Sequence, residues 1–553
     1  MKKHTSTYKK HIIRAVFLIS IVICSCRSSL ETISYTKGTD KDIIILYEND
    51  VHCAIDGYIQ MAGMRDKLRQ SNPYVSIVSS GDFTSGDIAG AISKGSYIID
   101  IMNAVGYDVT TLGNHEFDYS IPTMLDMTQR LNAQTVCCNC VEKESHKGLF
   151  RPYCIIHYDT LDIAFVGVAT PTTITSSTPT FFQDGEGNYI YDFGTAEEIC
   201  FEVQKSIDQA RADGADHVVV LSHLGDESNT ILTSRQLIAR TQGIDVVLDG
   251  HDHKVIHGEK IANAAGDSII LTSTGTKFTY IGKLTIGRDG RISTELYPVK
   301  DMAYHSDAVE SVVKHIKEDI KATCGQPFAH NTVKLICYDE NRMAIARREE
   351  CNIGDLCTDA FRIMLGADIA FVNSGNLRNN IDTGFINYNH LLSLLPYGNK
   401  ISLVSMRGQD ILDALELSVI EAPLLNGGFL QVSGLLFDVD TSIKSGVELD
   451  SKGMFVTVHG ERRISNVKIL NSTLGTYEPL QPKKIYKVAS TSYLLLSNGD
   501  GYYFPSMQKI EEDAYLDTDI LKRYIIEHLK GIITAPYNTP QHRINYNPTK
   551  CSE

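Results

Sequence analysis

The sequence predicts an α/β protein built as two units joined by a helix, and three observations predict it. Short β-branched apolar runs alternate with amphipathic stretches from residue 42 to about 290. One long amphipathic stretch follows at 307–323, with apolar residues at 309, 312, 313, 316 and 320. A second series of apolar runs then opens after Gly325 and Pro327, the pair that stops the helix. With 553 residues and 61.3 kDa, the chain is too long for a single core.

In the first unit, buried strands are expected at Ile43–Leu46, Val75–Val78, Ile163–Val166, Val218–Leu221 and Asp245–Leu248. Helices are expected at Tyr58–Arg69, Ser96–Ala104 and Ala196–Ala212. Strand and helix in turn argue for largely parallel pairing. The second unit repeats the α/β character with runs at Ile369–Val372 and Ile401–Val404. The expected boundaries are a leader over 1–26, a first domain over 42–300, a linker helix over 301–327 and a second domain over 328–546.

The first residues read as a targeting segment. Lys2, Lys3, Lys9, Lys10 and Arg14 precede an apolar run from Ala15 to Ile23, too short for a stable membrane span. The run ends Ile23-Cys24-Ser25-Cys26, which resembles a bacterial lipobox and implies cleavage before Cys26 and lipid attachment to it. A plain signal peptide cleaved nearby is the alternative. Either reading implies export to the cell envelope, with a lipid anchor as the only membrane contact.

Composition narrows the partners. The net charge of −15 disfavours a nucleic-acid polymer, and no Lys/Arg run supplies a local basic patch. A small anionic substrate remains compatible if metals or a few arginines supply positive charge. Thirteen cysteines, less Cys24 and Cys26, leave an odd number that cannot all pair within one chain. Cys137, Cys138 and Cys140 follow an apolar run without a partner pair at zinc spacing, so they read as small buried strand residues.

Several strand runs of the first unit end in metal-ligand residue types. Glu48-Asn49-Asp50-Val51-His52 follows the first strand, Gly81-Asp82 the second, and Gly113-Asn114-His115-Glu116-Phe117-Asp118 the run at Val109. His223 and Gly250-His251-Asp252-His253 follow later strands. Carboxyl ends of parallel strands share one edge, so the five segments converge. Asp50/His52 and His251/His253 are two residues apart, which lets each extended pair point one way and chelate. Oxygen and imidazole donors without thiolate suit zinc, manganese or a similar divalent ion.

In this order the segments resemble the signature of calcineurin-like metallophosphoesterases. The resemblance implies a four-layer α/β/β/α sandwich and two divalent metal ions. Asp50, His52, Asp82 and His253 would hold one ion, and Asp82, Asn114, His223 and His251 the other. Such a pair, about 3.5–4 Å apart, clamps a phosphoryl group and acidifies water for attack. His115 would stabilise charge on the phosphoryl or leaving group, with Asp118 orienting its ring.

Downstream stand Glu350-Cys351-Asn352-Ile353-Gly354-Asp355-Leu356, Asn373-Ser374-Gly375-Asn376-Leu377-Arg378, Leu395-Pro396-Tyr397-Gly398-Asn399 and Asn498-Gly499-Asp500-Gly501. Together with the metal signature they resemble the bacterial 5′-nucleotidase family. That implies Arg347 and Arg378 on the phosphate, Asn373 on the base edge, Tyr397 as one stacking face and Asp500 on the ribose. Ser374 and Asn376 replace two glycines of the family pattern. The second stacking aromatic maps to Leu494, with Tyr493 beside it.

The function expected is release of phosphate from nucleoside 5′-monophosphates, with the nucleoside held by the second domain. The same site acting on 2′,3′-cyclic nucleotides, nucleotide sugars or dinucleotides is the alternative. A non-catalytic surface-binding lipoprotein is more remote, because every ligand type of the signature is present. Oligomeric state is not readable from the sequence.

Overall fold

The computed structural model describes residues 33–226, 231–450 and 452–546. The leader, with Cys26, lies outside them. No helix among the described residues is long and apolar enough to cross a membrane.

The strand–helix alternation of the first unit is distributed over two six-stranded sheets rather than one. The first sheet has the order 292–298, 280–286, 43–48, 75–79, 109–110, 134–135, and the second 255–262, 268–274, 246–248, 217–223, 161–169, 153–158. The run from Ile43–Glu48 to Gln134–Thr135 is parallel throughout, as is the run from Ser268–Thr274 to Leu161–Ala169. Antiparallel strands flank them: Val255–Ala262 and Tyr153–Tyr158 through short hairpins, and Tyr280–Ile286 by long-range pairing with Ile43–Glu48.

The central parallel strands are buried on both faces, which is why they read as apolar runs, whereas the short edge strand Gln134–Thr135 is polar and half-buried. Ile43, Ile45, Tyr47, Ile163, Phe165, Val219, Leu221, Val246 and Leu248 fill the space between the sheets. On the outer faces, Leu46, Val75 and Ile77 meet helices Gly57–Arg69 and Ser96–Val105. Ala164, Val166, Val218 and Val220 meet helices Ala196–Ala212 and Ser234–Arg240. The result is four layers, α/β/β/α.

Helix Asp307–Cys324 is part of that outer layer. It buries Val309, Val313, Ile316 and Ile320 in the same cluster as Ile98 and Met102, so it belongs to the first core rather than hanging between two. Cys137, Cys138 and Cys140 are buried, but they lie beyond the short strand Gln134–Thr135 instead of within one. Their backbone is held by Arg151 and Gly167. All ten described cysteines are free.

The second unit is centred on a mixed five-stranded sheet of order 430–433, 369–373, 485–491, 400–407, 508–516. Helices Asn352–Met364 and Asp517–Glu527 cover one face through Leu356, Phe361, Ile520 and Leu521. Helix Gly408–Ser418 and a four-stranded sheet cover the other through Ile411, Leu415, Phe437 and Val439. Among the described residues, no hydrophobic cluster spans both units.

Phe165 is fully buried between the sheets and opposite Val219. Phe165→Ala is expected to cost about 3–5 kcal/mol, read as a lower urea midpoint at unchanged slope.

Candidate active site

The loops after five strand runs, three in one sheet and two in the other, meet at a single point. Asp50 and His52 leave strand Ile43–Glu48, Asp82 leaves Val75–Ser79, and Asn114 follows Val109–Thr110. From the second sheet, His223 ends strand His217–His223, and His251 and His253 follow Val246–Leu248. Asp50, His52, Asp82, Asn114 and His223 are all buried.

Backbone conformation shows how tightly these donors are gathered. Asp50, His52, Asp82, His251 and His253 all have positive φ, between 42° and 87°. Non-glycine residues avoid that region, so strain of about 1–3 kcal/mol each is held here by the surrounding fold. Gly113 is required by the crowding: a β-carbon there would sit 2.1 Å from Asp82 Oδ1.

The donor atoms form two overlapping groups. Asp50, His52 and His253 make one, and Asp50, Asp82 and His223 the other. His223 Nε2 lies 3.1 Å from Asp82 Oδ2 and 3.9 Å from Asp50 Oδ1. His253 Nε2 lies 3.6 Å from Asp50 Oδ1 and 2.9 Å from His52 Nε2. Asn114 Oδ1 is 3.0 Å from His251 Nδ1. His115 also comes within reach of His52 and Asp82.

This donor set fits divalent cations. His52 Nδ1 is held by the Ser85 carbonyl at 3.0 Å and His223 Nδ1 by the Ser80 carbonyl at 2.7 Å. Each ring therefore aims its Nε2 lone pair at the carboxylates, as second-shell carbonyls commonly arrange in metal sites. His223 Nε2 is buried without a hydrogen-bond partner. Burial holds His52 and His253 well below the usual imidazole range, which keeps them neutral donors. Burial pushes Asp50 up to about 7. Burial also opposes charge on His223, but Asp82 outweighs it and raises that imidazole to about 10. Cation binding displaces such a proton.

Glu116 is a functional residue that the sequence analysis left unassigned, although it lies inside Gly-Asn-His-Glu. It is buried, and its carboxylate accepts N–H bonds from Asp82 at 2.8 Å, Phe83 at 2.8 Å, Thr84 at 3.1 Å and Gly113 at 2.7 Å. One side chain thus ties the Asp82 corner to the Asn114 loop. Asn49 does the same for Asp50, donating to its Oδ2 at 2.7 Å while accepting from Thr274. A capturing role of this kind leaves no spacing signal of its own.

His115 stands beside the cluster, its Nδ1 2.7 Å from Asp118 Oδ2. Burial lowers the imidazole, and Asp118 and Asp82 more than compensate, leaving it raised. Ser85 and Ser177 hydroxyls donate to Asp118 at 2.7 and 3.3 Å and fix its orientation.

The residues expected in the second unit face the same cavity, of about 270 Å³, that Asp82, Asn114, His251 and His253 line. Arg347, Asn373, Arg378, Tyr397, Tyr493 and Asp500 are all on its wall. Arg378 is 1% exposed, and its Nε and one Nη have no partner. Asn373 donates to Asp500 Oδ2 at 2.7 Å, and its own Oδ1 is unpaired. Tyr397 stacks on the His115 ring with centroids 5.3 Å apart, so one of its faces is already covered.

Leu494 does not take the place at the cavity expected for it. It is 1% exposed and packs in the second unit's core, off the cavity wall. Tyr493 is the residue that faces the cavity, 2.8 Å from Asp500 Oδ1 through its hydroxyl. Thr491 caps a one-turn helix at Ser492–Leu495, and that turn decides which neighbour points inward. Ser374 and Asn376 are buried and bonded within the protein, to the 426–427 carbonyls and to Asp517 and Asn399.

The Glu350–Leu356 motif does not reach the cavity. Glu350 accepts the N–H groups of Gln541, Arg543 and Ile544, and the Arg543 guanidinium bonds Asp359 at 2.8 Å. These residues anchor the last strand.

A buried set of carboxylates and imidazoles at the joined carboxyl ends of two sheets is the construction of a metal-dependent phosphoester hydrolase. Comparison with known proteins agrees. Residues 329–509 match the family described as 5′-nucleotidase, C-terminal domain, and residues 75–275 match the family described as bacterial capsule synthesis protein. The chain is 25% identical over 539 residues to a 5′-nucleotidase of Bos taurus, covering 88% of each chain. It is 23% identical over 526 residues to a trifunctional nucleotide phosphoesterase of Bacillus subtilis, covering 87% of this chain and 33% of that one. The crystal structure of a 5′-nucleotidase precursor from Thermus thermophilus superimposes with a TM-score of 0.76 at 22% identity, covering 92% of this chain and 100% of the other. The second unit thus carries a 5′-nucleotidase C-terminal domain, and the chain along most of its length is similar to 5′-nucleotidases.

Glu116→Gln replaces a carboxylate oxygen by an NH₂ that faces N–H donors. It is expected to weaken divalent-metal affinity about 10–100-fold, measured by competition with a fluorescent chelator.

Proposed function

We propose that this enzyme releases phosphate from nucleoside 5′-monophosphates. The observation that carries the reading is the shared cavity, with Asp82, Asn114 and His251 on one wall and Arg378, Asn373, Tyr493 and Asp500 on the other. Its span from metal donors to aromatic and carboxylate groups suits a phosphate joined to a nucleoside.

Asp50, His52, Asp82 and His253 would hold one divalent ion, and Asp82, Asn114, His223 and His251 a second, zinc, manganese or similar. When bound, the ions supply Lewis-acid polarisation of the phosphoryl group and acidify water. The chain's own groups do the rest. Arg378, with unpaired guanidinium nitrogens in a buried place, binds phosphoryl oxygens, and Arg347 lines the same cavity. His115, whose charged form Asp118 and Asp82 favour against burial, donates a proton or hydrogen bond to the oxygen on which negative charge builds up. Tyr493 and Tyr397 flank the base, Asn373 presents its free carbonyl oxygen, and Asp500 accepts from ribose hydroxyls. We further propose that the protein works at the cell envelope, exported by its leader and anchored through Cys26.

Similarity to a relative named a trifunctional nucleotide phosphoesterase keeps a second substrate class in view, for which the candidates are 2′,3′-cyclic nucleotides, nucleotide sugars and dinucleotides. Assays with AMP, a 2′,3′-cyclic nucleotide, a nucleotide sugar and an aryl phosphate, each with Mn²⁺ and with chelator, separate the classes. Chelator-sensitive release from AMP is expected to dominate, and activity confined to the other substrates would overturn the reading. Asp82→Ala is expected to abolish turnover of every substrate. Tyr493→Ala is expected to raise KM for AMP about 10-fold, as loss of one stacking face should, and to leave the aryl phosphate nearly unaffected.

Burial pushes the Asp500 carboxyl up to about 6, against hydrogen bonds from Tyr493 and Asn373 that pull it down. Its acceptor charge is present above that pH and lost below it. KM for AMP is therefore expected to rise as pH falls through 6, relative to the aryl phosphate in the same buffers.

A further inference from the structure

The two units meet through polar contacts, and one group of these sits outside the cavity. Lys277 and Asp87 come from the first unit, Asn379 and Ser393 from the second. Lys277 Nζ donates to the Arg378 carbonyl at 3.1 Å and to Asn379 Oδ1 at 3.0 Å, and lies 3.6 Å from Asp87 Oδ2. Asp87 Oδ2 accepts from Asn379 Nδ2 at 3.0 Å, and Oδ1 from the Ser393 hydroxyl at 2.9 Å. Lys277 and Asp87 side chains are only 12% and 21% exposed.

Both first-unit anchors are tied to candidate metal ligands. The Lys277 N–H donates to the Asp50 carbonyl at 2.9 Å. Asp87 ends the short loop that begins at Asp82 and carries Ser85, whose carbonyl holds His52. On the other side the grip is on the peptide of Arg378 itself. The Arg378 N–H is bonded to the Leu394 carbonyl, next to Ser393, and its carbonyl is taken by Lys277. None of the four residues lines the cavity.

We propose that Lys277 and Asp87, with Asn379 and Ser393, form a polar latch that holds the two units closed and sets the Arg378 guanidinium against the metal side of the cavity. They are positioning residues. An interdomain contact without a shared hydrophobic core opens readily, so the latch decides how much of the protein is competent to bind. The proposal rests on the reading of Arg378 as a phosphate-binding group.

The test uses Lys277→Met, which keeps the aliphatic stem, and Asp87→Asn, which keeps the helix cap, with Lys277→Arg as the conservative control. Circular dichroism melting first verifies that each is folded. Small-angle X-ray scattering without substrate reads domain separation, and steady-state kinetics on AMP and an aryl phosphate read binding and turnover. The expected result is a larger radius of gyration for the first two variants, with KM about 10-fold higher for both substrates, as a smaller closed fraction dictates. kcat should change much less, and Lys277→Arg should stay near the parent in every measurement. Superimposable scattering curves for parent and variants would overturn the latch. Opening with unchanged KM would overturn the positioning of Arg378 instead. If the parent does not hydrolyse AMP, yet the variants still open and lose aryl phosphate affinity, the latch stands and only the nucleotide reading falls.

Discussion

Two carboxylates and four imidazoles brought together in the interior set the terms for the rest of this structure. Asp50, Asp82, His52 and His223 have at most 1% of their surface exposed, and their donor atoms lie within a few ångströms of each other. Like charges at such distances repel strongly in a medium of low dielectric, and buried ions are costly unless paired. The fold therefore devotes much of its construction to holding them. Five of the seven expected ligands have left-handed backbone, Glu116 collects four N–H groups from two loops, and backbone carbonyls fix the histidine rings. A divalent cation relieves the same conflict by supplying the missing positive charge.

Two sheets serve this purpose better than one. A single parallel edge would spread five loops along a line, whereas two packed sheets bring their carboxyl ends together from opposite sides. Asp82 and Asn114 come from one sheet, His223 and His251 from the other, so closure of the inter-sheet core is also closure of the site. The second unit contributes its groups across a polar boundary. Tyr397 on His115, and Tyr493 within 2.8 Å of the Thr175 carbonyl, show how intimate that boundary is.

Much of the site was legible in the sequence because its residues are chemically unusual where they stand. Asp-x-His, Gly-Asp, Gly-Asn-His-Glu, the lone His223 and Gly-His-x-His each fall at the end of a β-branched run, and their seven candidate ligands lie around one point. The helix expected at Ala196–Ala212 has those bounds, and in the structure Thr195 and Glu198 close it with a capping box. Other features carried no such mark. Whether Tyr493 or Leu494 faces the cavity depends on one helical turn, which residue type alone does not fix. Which strands fall in which of the two expected sheets is set by long-range pairing. Lys277 and Asp87 are ordinary charged residues until the second unit is placed against them. The Glu350–Leu356 segment carried the resemblance without a marked role, and Glu350 and Asp355 serve Arg543.

The proposed reading would place two divalent ions at the floor of a cavity walled by both units, with Asp82 in both donor sets. Anomalous diffraction at the manganese edge, from crystals grown with Mn²⁺ and a non-hydrolysable AMP analogue, tests it most directly. The account predicts two peaks about 3.5–4 Å apart, both in contact with Asp82, with the analogue's phosphate between them and Arg378. A single peak, or two that do not share Asp82, would contradict it.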